Sequence, residues 1–160
     1  MNTQLSFTKM DEADAGEILA WRYQAPYDFY NANEVNLTAD IATLLEPKNY
    51  YFAVRDAKDS LLCYYCFAND ARVVGGDYDD NAVDIGGGAK PELTGTGFGA
   101  NFIKMAMTIA QQLFQARKVR ATVAAFNTRA LKMCEKAAFV RTQQFTRDDG
   151  VEFVVLVKEF

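Results

Sequence analysis

"ELTGTGFGANF", Glu92 to Phe102, sets glycines at positions 95, 97 and 99 directly ahead of an apolar segment. Glycine has no Cβ, so alternate glycines leave the backbone open to close approach and tolerate left-handed dihedrals. Ahead of a helix, such a stretch presents N–H groups that attract an anion, and the helix dipole adds to that attraction. Three readings compete: a nucleotide phosphate loop, a coenzyme-binding turn, and an ordinary strand-to-helix turn with a solvated basic face.

The flanking residues discriminate among them. A Walker A loop ends in Gly-Lys-Ser/Thr, and the chain has no such tripeptide. Gly95-x-Gly97-x-x-Ala100 satisfies the loose dinucleotide fingerprint, but a dinucleotide site also expects an acidic residue about 20 positions on to hold the ribose. From Leu93 to Cys134 there is neither Asp nor Glu. That run instead carries Lys104, Arg117, Lys118, Arg120, Arg129 and Lys132, a block of one sign suited to an anion.

Composition narrows the chemistry further. The 160 residues suit one domain over 1–160, half hydrophobic and 24% charged, which is globular. Histidine is absent, which removes the commonest general base, the commonest metal ligand and every His-containing triad. Cys63, Cys66 and Cys134 make no dense disulfide framework and fit a reducing cytoplasm. Cys63-x-x-Cys66 is half a zinc pattern without its other half, and its interleaved aromatics read as a strand, so no metal is expected. Met1–Met10 lacks a signal-peptide core, and no apolar run reaches membrane-span length. A net charge of −4 argues against a general nucleic-acid or anionic-membrane surface.

Periodicity and turn signals give the order of elements. A strand around Leu5–Lys9 precedes a helix opened by the acidic stretch Asp11–Glu17. "RYQAPYDFYNAN" breaks that helix at Pro26, and a second helix runs through "LTADIATLLE" with Thr38 as its cap. "YYFAVRD" and "SLLCYYCFAND" read as a hairpin, and "AVDIGGGA" as a strand after a Gly/Asp-rich loop. A long helix is expected from about Gly97 to Ala116, with Phe102, Ala106, Ile109 and Leu113 on one face. "KVRATVAAF", a short helix capped by Asn127 or Thr128, and a terminal hairpin turning at Arg147–Gly150 complete the chain. The terminal strands offer an edge for a homodimer.

"PELTGTGFG" before a helix, then a strand ending in "FNTRALKMCEKAAF", resembles the GCN5-related N-acetyltransferase (GNAT) superfamily in order and spacing, most strongly over Val83–Phe139. The resemblance implies an α/β (α+β) fold with a mixed, largely antiparallel central sheet of about six to seven strands, flanking helices and a splayed fourth strand. It further implies acetyl-CoA as cosubstrate and an amine acceptor, joined in one ternary complex.

By that resemblance, Thr94 stands where the family has Gln or Arg, and Gly95, Thr96, Gly97, Phe98 and Gly99 offer their amides to the pyrophosphate. Gly87, Gly88 and Ala89 fall where the fourth strand bulges toward the thioester carbonyl, and Asn127 faces the pantetheine arm. Cys134 replaces the usual tyrosine that protonates the departing thiolate, and Ala138 replaces a glycine. Cys134 is therefore either a substitute acid or a small buried filler. Asp84 is the candidate base, or else a hydrogen-bonded strand aspartate. Tyr27, Asp28 and Tyr30 line the acceptor side, or form an aromatic-packed loop. Asp28, Glu34, Asp77, Asp79 and Asp80 hint at a cationic acceptor. The missing tyrosine motivates a second function, a catalytically silent CoA-binding regulatory module.

Overall fold

The computed structural model describes residues 4–160; the first three residues of the N-terminal stretch lie outside the described residues. Among the described residues seven strands form one sheet, β1 (Ser6–Lys9), β2 (Phe52–Arg55), β3 (Leu61–Phe67), β4 (Val83–Ala89), β5 (Lys118–Ala124), β6 (Val140–Thr146) and β7 (Glu152–Glu159), in the order β1-β2-β3-β4-β5-β7-β6. The β4–β5 pair has a parallel register, and the ladders β1–β2, β2–β3, β5–β7 and β6–β7 are antiparallel. Among the described residues, four α-helices accompany them: α1 (Glu12–Ala20), α2 (Leu37–Leu45), α3 (Gly99–Phe114) and α4 (Thr128–Lys136). The chain forms two compact units. The first runs up to Cys66 and includes Gly87–Gly95, and the second comprises Phe67–Gly86 and Thr96–Phe160.

In the first unit, α1 begins where Asp11 and Asp14 cap each other. Asp11 Oδ1 accepts from the Asp14 N–H at 2.8 Å, and Asp14 Oδ2 accepts from the Asp11 N–H at 3.1 Å. Asp14 is buried and also takes the guanidinium of Arg55, which fastens the start of α1 to β2. Met10, Ala15, Ile18, Trp21, Ala53 and Leu61 form the core of this unit, with Ile41, Leu44, Leu45, Tyr23, Tyr51 and Tyr64 packed against it. Thr38 does not cap α2. A 3-10 turn, Glu34–Asn36, winds straight into the helix, so Asn36 takes the N-cap position and Thr38 lies inside the first turn.

In the second unit, the long helix is shorter than its pattern suggests. Gly97 has φ +89° and so cannot be helical, and Gln115 closes the other end at φ +51°. The buried stripe of α3 is Ile103, Ala106, Ile109 and Ala110, whereas Leu113 is exposed. The inward face is therefore rotated from the expected one, because the smaller Ala110 fills the packed position. Phe114 meets Phe67 with ring centroids 5.4 Å apart. In the terminal hairpin, β7 is buried over Phe153–Leu156 and β6 is the sheet edge.

Candidate functional site

The glycine stretch forms a loop that leads into α3. Gly95 and Gly97 hold φ +76° and +89°, conformations that side-chain-bearing residues rarely adopt. A Cβ at Gly97 would meet nothing within 4 Å, so this backbone faces open space. Phe98 occupies the N-cap position of α3 and makes no side-chain cap. The N-cap side chain therefore takes none of the first-turn amides of this 16-residue helix, and the turn contains no acidic residue. Gly99 serves packing as well: a Cβ there would touch the Met133 side chain of α4 at 3.4 Å. Phe98 leans on Phe102, with centroids 6.4 Å apart. Thr94 ends a 3-10 turn, Pro91–Leu93, and its hydroxyl donates to the Pro91 carbonyl at 2.6 Å. Asn127 is the N-cap of α4, its Oδ1 accepting from the Ala130 N–H at 3.1 Å.

The register of β4 with β5 pairs Val83, Asp84 and Ile85 with Val119, Arg120 and Ala121, and the ladder ends there, before the glycines. Within the first unit, a Cβ on Gly87 would collide with the Tyr64 carbonyl oxygen, so only glycine admits this close approach. At Gly88 a Cβ would lie 3.2 Å from the Tyr64 hydroxyl and 3.3 Å from the Tyr23 hydroxyl. Tyr23 Oη donates to the Ala89 carbonyl at 2.7 Å. Burial, with a smaller contribution from Glu92, pushes the Tyr23 phenol up to about 12.

Tyr27, Asp28 and Tyr30 share a 3-10 turn, Tyr27–Tyr30, that leaves Asp28 and Tyr30 exposed and stacks Phe29 edge-on against Tyr30 at 5.0 Å. Asn31 follows, and its side chain clamps the backbone of Tyr23. Asn31 Oδ1 accepts from Tyr23 N–H at 2.7 Å, and Asn31 Nδ2 donates to Tyr23 C=O at 3.2 Å. Tyr23, Asn31 and Tyr64 escape a sequence reading. "RYQAPYDFYNAN" shows a loop, but nothing in it indicates that Tyr23 meets Ala89, 66 residues away.

Asp84 is placed as the hydrogen-bonded strand aspartate. It is 2% exposed, and its two oxygens accept three guanidinium N–H groups: Arg120 Nε at 2.6 Å, Arg120 Nη2 at 2.8 Å and Arg72 Nε at 2.8 Å. Accepting a proton from an amine would require one of these contacts to break in a buried place. The same arginines take the acidic loop. Arg120 Nη1 meets Asp79 at 3.1 Å and Arg72 Nη2 meets Asp80 at 3.1 Å, so these two carboxylates already have cations. Tyr78 closes the cluster, sharing a hydrogen bond with Thr122 at 2.9 Å and lying beneath both guanidinium groups.

Cys134 is 1% exposed, on the inner side of α4. Burial, followed by the charge of Glu135, pushes its thiol up to about 12. A thiol so placed is a poor donor to a thiolate, which favours the filler reading. Cys63 and Cys66 are buried three residues apart on β3, where alternation sends them to opposite faces. Among the described residues there is no group of Cys, Asp or Glu placed to hold a metal, and no helix long and apolar enough to cross a membrane.

No family model matches the sequence, and no curated protein matches it. Solved structures do match its backbone. An acetyltransferase of the GNAT family from Bacillus anthracis superposes with a TM-score of 0.72 over 99% of this chain and 96% of that one, at 13% identity. This chain has the GNAT fold. A chimera of the Vibrio cholerae spermidine N-acetyltransferase SpeG with hSSAT matches with a TM-score of 0.70, at 18% identity over 98% of this chain and 96% of its own. SpeG from Vibrio cholerae in complex with manganese ions matches with a TM-score of 0.70, at 16% identity over 98% and 92%. With so few shared residues, this likeness establishes the arrangement of elements, and the chemistry has to be argued from the side chains.

Proposed function

We propose that the protein is a cytoplasmic N-acetyltransferase that moves an acetyl group from acetyl-CoA to a primary amine in one ternary complex. The observation that carries this reading is the loop Gly95–Gly99: left-handed glycines, open space at Gly97, and a helix start that its N-cap residue Phe98 leaves without a side-chain cap. The donor set fits a pyrophosphate, since backbone N–H groups at a helix N-terminus bind phosphate without a cationic side chain. Thr96, Gly97, Phe98 and Gly99 would supply those amides, and Gly95 the turn that aims them. Thr94, whose hydroxyl is held by Pro91, contributes its backbone alone.

Bound acetyl-CoA supplies an activated acetyl thioester. The chain then has to orient the carbonyl, admit a neutral amine and let one proton leave. Gly87–Ala89 would receive the carbonyl and pantetheine, and Asn127 would line the arm while capping α4. The loop of Tyr27, Asp28 and Tyr30 would meet the amine. With Asp84 engaged by two arginines and Cys134 buried, proton transfer is assigned to water, which suffices for a thiolate leaving group near neutral pH.

The same two observations favour one other reading, the silent CoA-binding module, which needs the loop and no proton chemistry. Calorimetric titration with acetyl-CoA and with NADH, then thiol release in the presence of spermidine, an N-terminal tripeptide amine and an aminoglycoside, separates the readings. Acetyl-CoA binding with turnover on any of these amines supports the transferase, and binding without turnover supports the module. Preference for NADH would overturn both.

A further inference from the structure

The residues on the acceptor side and the end of β4 are joined by a short chain of hydrogen bonds. Asn31 grips both backbone polar groups of Tyr23, and the Tyr23 hydroxyl grips the Ala89 carbonyl. The three contacts, at 2.7, 3.2 and 2.7 Å, bracket the 3-10 turn Tyr27–Tyr30, because Tyr23 precedes it and Asn31 follows it. The turn is thereby closed into a loop whose neck is tied to the strand. Gly88 lets this happen, since a side chain there would press on the Tyr23 and Tyr64 hydroxyls. Tyr64 is held in turn by Tyr51, stacked at 6.2 Å, and by Trp21 at 6.0 Å. The anchor is therefore rigid at its base and polar at its tip.

We propose that Tyr23 and Asn31 are positioning residues for acyl transfer: Asn31–Tyr23–Ala89 is a relay that fixes the acceptor loop against the strand presenting the thioester. The inference rests on the transferase reading for its chemistry and on the hydrogen bonds for its mechanics. Near-attack geometry tolerates little displacement, so loosening a tie of this kind lowers kcat even though neither residue touches the reacting atoms. The tie also explains why a phenol is used at position 23. Its ring packs against the core of the first unit, and its hydroxyl reaches Ala89.

Two substitutions and two kinds of measurement test the relay. Tyr23→Phe removes only the hydroxyl, and Asn31→Ala removes the clamp without touching β4. Amide hydrogen exchange on the full chain, without ligand, should rise at Ala89 and Lys90 in both variants, while β1 and β2 remain protected. For the amine turned over fastest in the panel above, each variant should lose about tenfold in kcat, with the acetyl-CoA Kd within about twofold of the wild type. The double variant should lose no more than the worse single one, since both cut the same relay. Unchanged exchange at Ala89 in Asn31→Ala, or losses that multiply in the double variant, would overturn the relay. If the wild type acetylates none of the amines, the role in transfer falls with the transferase reading, and the exchange data still decide whether the tie exists.

Discussion

Arg120 grips Asp84 from directly across the parallel register of β4 and β5, with Nε on Oδ1 at 2.6 Å and Nη2 on Oδ2 at 2.8 Å. Both side chains are almost wholly buried, and Arg72 adds a third donor. Breaking such a pair leaves one buried charge uncompensated, so Arg120→Ala should cost about 3–5 kcal/mol in chemical denaturation. Asp84→Asn should also destabilise, because an amide cannot accept along all three contacts. Turnover by folded Asp84→Asn should stay within about tenfold of the wild type. A near-complete loss with the fold intact would return Asp84 to the role of base.

Gly97 allows a controlled test of the phosphate loop. Gly97→Val puts a side chain where φ is +89°, which strains the backbone by about 1–2 kcal/mol. Gly150 in the terminal turn has φ +87° and equally open surroundings, so Gly150→Val carries the same strain far along the chain. Both variants should lose similar stability by thermal unfolding. Only Gly97→Val should weaken acetyl-CoA binding, by more than about tenfold in calorimetry, and normal binding by that variant would remove the pyrophosphate assignment.

Cys134 separates acid from filler. Cys134→Ala should lower turnover less than tenfold under saturating acetyl-CoA, since water can return the proton. Cys134→Tyr should unfold at lower denaturant, because a phenol does not fit a site that is 1% exposed. A much larger loss in the alanine variant, with the fold intact by circular dichroism, would reinstate the thiol as the donor.

Buried thiols also set an alkaline limit. Burial pushes Cys63 and Cys134 from the ordinary 9.0 up to about 12, against a lowering hydrogen bond from Tyr65 at Cys63 and with Glu135 raising Cys134 further. Each folded-state value lies above the unfolded one. The stabilisation is therefore complete below pH 9 and is lost as the pH rises through 12. The melting temperature should fall progressively over that window. In Cys63→Ala with Cys134→Ala the fall should be shallower, leaving chiefly the contributions of the buried phenols Tyr23 and Tyr65, both raised by burial, above pH 10.

Much of the architecture was legible because it is local. The hairpin of β2 and β3, the acidic start of α1, the Asn127 cap and the glycine loop are each written within a few consecutive residues, where backbone sterics and capping act. Where the local signal was ambiguous, neighbours decided. Thr38 looked like a cap, yet the preceding 3-10 turn moved the helix start to Asn36. Leu113 looked buried, yet α3 turned Ala110 inward instead.

The sequence by itself determined the absence of histidine chemistry and the glycine-rich loop ahead of α3, which follow from composition and the conformations open to glycine, and its resemblance to the GNAT superfamily implied the class of fold. Tertiary structure alone decided which partners the ionisable residues have. Asp84 is a lone strand carboxylate in the sequence, and in the fold Arg72, twelve residues before it, and Arg120, 36 after it, close on its oxygens. Tyr23 reads as one aromatic among many until Ala89 arrives from 66 residues away. The physical reason is the same in both cases: a side chain's proton affinity and orientation depend on the partners that remove it from water, and only the folded chain brings distant partners together.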